Sequence, residues 1–177
     1  LTIAMMTALP GISSAQRFLN EVFYSVDVTT NITYGNNFSI FPPTSPGFID
    51  LKMDVYEPTG DPMAQRPLII FMHTGSFLPK YINGTPTGSR NDSATVEMCT
   101  RLAKRGYVAV GINYRLGNFW QMLDSAYAIE TVLKAISDGK AAVRFLRKDA
   151  ATTNTYRIDP DKIYVGGNSA GAVLFMH

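Results

Sequence analysis

The sequence predicts an α/β fold, a mainly parallel sheet flanked by helices. Three observations predict it. The run Leu68–Met72 is apolar without polar alternation, as in a strand buried on both faces of a parallel sheet. Strand-like and helix-like segments then alternate through the rest of the chain, the pattern of strands joined by helical crossovers. Finally, Ile163-Tyr164-Val165-Gly166 runs directly into Gly167-Asn168-Ser169-Ala170-Gly171 and the helix-compatible Ala172-Val173-Leu174-Phe175. That last pattern, G-x-S-x-G between strand and helix, is a sharp turn that lifts a serine hydroxyl above the end of a sheet.

Each element has a local cause. Glu21–Tyr34 alternates apolar and polar residues, with Val22, Tyr24, Val26 and Val28 on one side, and predicts an exposed antiparallel strand. Asn36–Gly47 holds Pro42-Pro43 and Pro46-Gly47 and is expected as a loop, with a second strand over Ile49–Tyr56. Thr59-Gly60-Asp61-Pro62 turns the chain into the Leu68–Met72 strand. Leu78–Ser93 is polar with several glycines and prolines, a surface loop by composition. Asp92 or Ser93 is placed to cap a helix over Ala94–Arg105, which Gly106 ends. Tyr107–Asn113 is the next strand. Ile129, Val132, Ile136, Val143 and Leu146 then recur at helical spacing, marking a helix that reaches about Asp149. Asp159-Pro160-Asp161 makes the turn into the final strand. No internal repeat is visible.

The chemistry concentrates at two places. At the G-x-S-x-G turn the serine backbone is strained, and side chains two residues either side would collide with the strand or the helix, so Gly167 and Gly171 avoid the collision. The N–H of Ala170 and the positive end of the following helix face the region where an oxyanion would form. Upstream, Leu68–Met72 ends in His73-Thr74-Gly75-Ser76-Phe77, similar to the H-G-G-G type of oxyanion loop. Small residues there let the N–H groups of Gly75 and Ser76 reach a carbonyl oxygen unobstructed.

From about Phe48 onward the chain resembles the α/β-hydrolase superfamily, specifically the carboxylesterase and hormone-sensitive-lipase-like esterases. The motifs D-V-Y-x-P (from Asp54), H-T-G-S-F (from His73), N-Y-R-L-G (from Asn113) and G-N-S-A-G (from Gly167) carry it. The resemblance implies that Ser169 is the nucleophile and that Gly75, Ser76 and Ala170 supply backbone N–H groups to the oxyanion. Thr74 stands where the family more often has glycine, and would be strained if that position needed a positive φ. In these hydrolases the order is Ser, then Asp or Glu, then His. His73 precedes Ser169, and His177 lies about two helical turns beyond it, some 12 Å along an axis leading away. Neither suits a general base, so the partners are expected downstream, a pseudoenzyme or a different base being the alternative. The chain is accordingly expected to be the N-terminal part of a catalytic domain, residues 16–177, whose complete form needs on the order of 250 residues.

The first residues read differently. Leu1–Leu9 is apolar, Pro10-Gly11 breaks it, and Ser13-Ser14-Ala15 ends it in small residues. That is the pattern of the later regions of a signal peptide over residues 1–15, its basic start missing. The run is too short for a membrane span, which needs about 20 apolar residues. A secreted or periplasmic protein is therefore expected, without a membrane span once the leader is removed. A buried N-terminal helix or strand is the alternative.

Composition narrows the classes. A net charge of +2 with 17% charged residues offers no basic stripe for nucleic acid. Cys99 is the single cysteine; it falls in a helical pattern with Val96, Leu102 and Ala103 and reads as a packing residue. No metal-ligand cluster and no cofactor motif appears. Phe119 and Trp120, with Met122 and Leu123, follow the carboxyl end of a strand, where ligand crevices form, and are open to lining an acyl or alcohol pocket or to simple packing. Arg115 is open to a substrate-carboxylate contact or a structural ion pair, and Tyr114 is similarly open. Four N-x-[ST] sequons begin at Asn31, Asn37, Asn83 and Asn91; they matter only in a eukaryotic secretory pathway. The leading expectation is a serine hydrolase acting on small-molecule carboxylic esters through an acyl-enzyme. A serine peptidase of the same fold and a non-catalytic hydrolase-like binding domain are the alternatives.

Overall fold

A computed structural model describes residues 16–42, 44–118 and 120–175. The apolar stretch expected as a leader, and Phe119 and His177, lie outside the described residues. The chain forms strands β1 (Val26–Ser39), β2 (Gly47–Pro58), β3 (Arg66–Met72), β4 (Val108–Ile112) and β5 (Ile158–Gly167). Its helices are α1 (Lys80–Asn83), α2 (Ser93–Lys104), α3 (Ser125–Ala151) and α4 (Ala170–Phe175). The five strands make one mixed sheet in the order β1-β2-β4-β3-β5. β4, β3 and β5 run parallel, while β2 is antiparallel to both β1 and β4.

The two long helices cover opposite faces, and the strand order explains why. The step from β3 to β4 moves one way across the sheet and the step from β4 to β5 moves back past β3. Crossovers of one hand then put α2 on one face and α3 on the other. Side-chain alternation agrees: Val108, Val110 and Ile112 join Leu68, Ile70, Ala135, Ala142 and Leu146 beneath α3. Ala109 points the other way, to Cys99 and Ala103 of α2. Cys99 is a buried, free packing residue whose thiol pKa burial raises to about 12.

Several sequence-based boundaries shift. β1 starts later than expected and continues through residues 36–39, so of the expected loop only residues 40–42 and 44–46 are described outside the strands. Asp159-Pro160-Asp161 does not precede the last strand but bulges within it. Ile158 already pairs with Arg66, and the register then jumps so that Ile163 meets Leu68. Asp92 is the N-cap residue of α2, yet its side chain makes no cap bond; only its carbonyl accepts from Val96 N. Its carboxylate is turned into the preceding loop.

Arg115 is a structural residue. Its guanidinium meets the buried Asp138 of α3 at 2.8 and 2.9 Å, and its own N–H donates to the same carboxylate at 2.9 Å. Further bonds to the carbonyls of Phe38 and Lys134 tie the loop after β4 to both β1 and α3.

The helical face predicted on α3 is only partly covered. Ile136 and Leu146 are buried, but Ile129 and Leu133 are 61% and 57% exposed along a groove of about 520 Å³. No described element lies over them. The groove lies near a second one, between Met72, Val165, Leu174 and Val143, and Tyr164 is exposed on β5. The apolar surface therefore gathers around the outer edge of β5.

The Arg115–Asp138 pair yields a direct test. Asp138→Ala leaves a buried guanidinium without its carboxylate and is expected to cost about 3–5 kcal/mol in denaturant unfolding of the full-length protein. A loss below about 1 kcal/mol would show that the pair does not hold this loop.

Candidate active site

The carboxyl ends of the three parallel strands converge on one end of the sheet. β5 delivers the turn Gly167–Gly171, β3 delivers His73–Phe77, and β4 delivers Asn113-Tyr114-Arg115. Ser169 stands exposed at the tip of its turn with φ 54°. A non-glycine residue in that conformation costs of order 1–3 kcal/mol, so the surrounding contacts must hold it there. They do so through bonds that close around it: Gly171 N–H to Asn168 O at 3.0 Å, and Ala172 and Val173 N–H to Ser169 O at 2.9 and 3.2 Å.

Both flanking glycines are sterically required. A Cβ on Gly171 would lie 2.2 Å from the Met72 carbonyl oxygen and 2.9 Å from that of His73. A Cβ on Gly167 would lie 2.5 Å from the Gly171 carbonyl carbon. Backbone therefore touches backbone across the turn, and Asn168 N–H reaches Met72 O at 3.4 Å. The contact brings Ser169 beside the end of β3, where the loop bearing Gly75 and Ser76 begins.

That loop adopts left-handed conformations at Gly75 (φ 122°), Ser76 (φ 53°) and Phe77 (φ 59°). Thr74 is not one of them, so threonine at that position carries no such strain. Ser76 is exposed and Gly75 buried. The directions of the N–H groups follow from their peptide partners, because the C=O and N–H of a trans peptide point opposite ways. Tyr114 hydroxyl donates to His73 O at 2.7 Å, fixing the first plane. His73 Nδ1 lies 2.6 Å from Thr74 O, which fixes the plane that carries Gly75 N–H. Leu78 N–H donates to Gly75 O at 2.8 Å, which fixes the plane that carries Ser76 N–H.

This arrangement gives His73 a positioning part rather than a basic one. A carbonyl can only accept, so Nδ1 holds the proton. The ring is 1% exposed and stacks on Tyr114 with centroids 4.3 Å apart. Burial pushes its pKa below the ordinary histidine value, so it is neutral at neutral pH. Stability from burying a neutral ring is complete above the unfolded pKa and falls as pH drops below about 6.5. Among the described residues, no histidine or carboxylate hydrogen-bonds the Ser169 hydroxyl.

Other candidates fare differently. Phe119 lies outside the described residues, and Trp120 is 75% exposed. A cavity of about 160 Å³ lies instead beside His73 and Tyr114, walled by Phe41, Ile49 and Leu51. Residues 78–93, a surface loop by composition, instead contain α1 and bury Leu78, Arg90 and Asp92. Among the described residues, no cluster of three or more His, Cys, Asp or Glu could hold a metal ion. No helix there is long and apolar enough to cross a membrane.

A mixed sheet with helices on both faces, and a strained serine turn at the carboxyl end of a parallel strand, define the α/β-hydrolase class. Residues 53–176 match the family BD-FAE, and the chain belongs to that α/β-hydrolase family. It is 33% identical over 126 residues to neuroligin-like protein glit-1 of Caenorhabditis elegans, covering 69% of this chain and 15% of that protein. To the probable isoprenylcysteine alpha-carbonyl methylesterase ICME of Oryza sativa subsp. japonica it is 28% identical, covering 85% and 28%. Among solved structures it resembles Est2, a thermophilic esterase of the Planctomycetes species Thermogutta terrifontis (TM-score 0.55, 27% identity, 84% of this chain and 42% of that one). The same esterase is also known phosphorylated by paraoxon, with TM-score 0.55 and 26% identity over 84% and 44% of the two chains. The chain thus spans less than half the length of each of these relatives.

The glycine contacts predict a sharp substitution effect. Gly171→Ala forces a methyl group into the Met72 carbonyl and is expected to cost about 3 kcal/mol, the upper end of overpacking penalties, in unfolding of the full-length protein. Gly166→Ala, where a Cβ meets nothing within 4 Å, is the control. Equal effects at the two positions would contradict the close approach.

Proposed function

We propose that the full-length protein is a secreted serine esterase that cleaves small-molecule carboxylic esters through an acyl-enzyme on Ser169, residues 16–177 forming the N-terminal part of its catalytic domain. One observation carries this reading: an exposed serine is held at φ 54° between two glycines that backbone contact requires, beside a loop whose N–H directions are pinned. Phe18, Asn31, Asn154 and Arg157 also have positive φ, so it is strain combined with exposure, flanking glycines and the neighbouring loop that points to a nucleophile. Ser169 Oγ attacks the ester carbonyl carbon while its proton passes to a histidine supplied from beyond these 177 residues. The tetrahedral oxyanion takes hydrogen bonds from Gly75, Ser76 and Ala170 N–H. Losing one such donor costs roughly 3–4 kcal/mol in comparable hydrolases. Expulsion of the alkoxide, protonated by the same histidine, leaves the acyl-serine, which water hydrolyses by the reverse sequence.

The likeness to an esterase that paraoxon phosphorylates supports this reading and supplies a reagent. Paraoxon should add one diethylphosphoryl group to the full-length protein, on the peptide containing Ser169. Ser169→Ala should abolish both labelling and hydrolysis of short-acyl p-nitrophenyl esters. Undiminished turnover in Ser169→Ala would sink the assignment, and faster turnover of the matching p-nitroanilides would favour the peptidase alternative.

Export has its own measurement. If residues 1–15 are the tail of a leader, the secreted protein begins near Gln16, which N-terminal mass spectrometry reads directly. A folded cytosolic protein retaining Leu1–Ala15 would refute it.

A further inference from the structure

We infer that Asn83 is a positioning residue of the oxyanion loop, holding the Gly75 carbonyl and so aiming the Ser76 N–H; this rests on the serine-esterase reading above. Asn83 is the last residue of α1, followed by Gly84 in a left-handed conformation (φ 69°). Its side-chain nitrogen lies 2.8 Å from Thr87 O, 3.1 Å from Leu78 O and 3.3 Å from Gly75 O. Two N–H bonds are thus shared among three carbonyl oxygens. Its side-chain oxygen accepts from Thr85 N at 2.8 Å and from Thr85 Oγ1 at 2.7 Å. The carboxamide is engaged at both ends, which fixes which end faces the loop.

The plane it holds needs holding. Gly75 has no side chain to restrict its rotation, and its φ of 122° lies where few residues rest. Turning the Gly75–Ser76 peptide would swing Ser76 N–H away from the oxyanion position. Two donors oppose that turn: Leu78 N–H at 2.8 Å, inside the same loop, and Asn83, from outside it.

Asn83 is itself anchored in a second tier. A Cβ on Gly75 would lie 2.7 Å from Gly88 Cα, so the segment after α1 presses directly on the loop. Asp92 fastens that segment: its carboxylate accepts from Gly88 N at 2.7 Å and Ser89 N at 3.1 Å, and pairs with Lys80 at 2.7 Å. Burial alone would raise the Asp92 pKa, but the bonds from Lys80 and the two amides outweigh it and hold the carboxyl below its ordinary range. The path runs from Asp92 through Gly88 and Asn83 to Gly75. It also disqualifies the sequon at Asn83: the nitrogen a glycan would occupy is the one clamping the loop.

The test uses the full-length protein with a short-acyl p-nitrophenyl ester and a trifluoromethyl ketone, whose adduct on serine mimics the tetrahedral oxyanion. Asn83→Asp places a carboxylate oxygen against three carbonyl oxygens, and Asn83→Ala removes the clamp without repulsion. Both are expected to lower kcat about tenfold to a hundredfold, less than the 10²–10³ for a deleted donor. Ketone affinity should fall by a similar factor, with KM within about twofold and the melting temperature within a few degrees. Thr85→Ala, which removes one of two donors to the far end of the carboxamide together with the hydroxyl's bonds to Thr87, leaves the Asn83 nitrogen in place and should lose less than either. If Asn83→Asp does not fold, Asn83→Ala decides alone. Unchanged kcat and ketone affinity in a folded variant overturn the inference. So does a loss of kcat that merely tracks a fall in melting temperature. Activity that survives Ser169→Ala overturns both this inference and the esterase reading, whereas Ser169-dependent activity indifferent to Asn83 overturns the clamp alone.

Discussion

The contact on which the site depends is backbone against backbone, where Gly171 crosses the last residue of β3. Its Cα comes so close to the Met72 carbonyl that a methyl group in place of its hydrogen would sit 2.2 Å from the oxygen. No side chain intervenes, so none can change rotamer and let the two segments drift. The turn bearing Ser169 and the loop bearing Gly75 and Ser76 therefore share one rigid junction. Interiors close-packed in this way resist continuous deformation, which is what the proposed nucleophile and oxyanion groups require, placement to a fraction of an ångström.

Polar contacts supply the second half of the rigidity. Three successive peptide planes after β3 have their carbonyls bonded: by Tyr114, by His73 itself, and by Leu78 together with Asn83. Each bond acts on a carbonyl on one side of the chain and is felt by the N–H on the other. Donors fixed before a charge develops cost nothing to reorganise when it does. The buried state of His73 fits this use, since a charged ring with both nitrogens as donors would face an uncompensated desolvation cost.

Much of this was visible in the sequence, and the division has a physical basis. The strands around Leu68–Met72 and Val108–Ile112 were legible because strands buried on both faces must be apolar throughout. Gly167, Ser169 and Gly171 were legible because the steric rule at the turn acts over five consecutive residues. The clamp was not. Asn83 and Asp92 lie in a polar, glycine-rich stretch that by composition belongs at the surface, and what buries them is a loop fold with no periodicity. Asp92 stood at the expected cap position, but its carboxylate found better partners in Lys80, Gly88 and Ser89 than in the first turn of α2. On α3 the helical spacing correctly announced an apolar face; what covers Ile129 and Leu133 depends on elements the spacing cannot name.

Exposed apolar surface flanks β5, whose outer edge carries no partner strand among the described residues. Such an edge invites further pairing, which accords with a chain that spans less than half of its esterase relatives. The site depends on geometry, so the most direct measurement is a crystal structure of the full-length protein after reaction with paraoxon. The expected result is a phosphoryl group on Ser169 Oγ with its non-ester oxygen about 2.7–3.1 Å from the N–H groups of Gly75, Ser76 and Ala170. A phosphoryl oxygen turned away from those three groups, or phosphorylation at another residue, would contradict it.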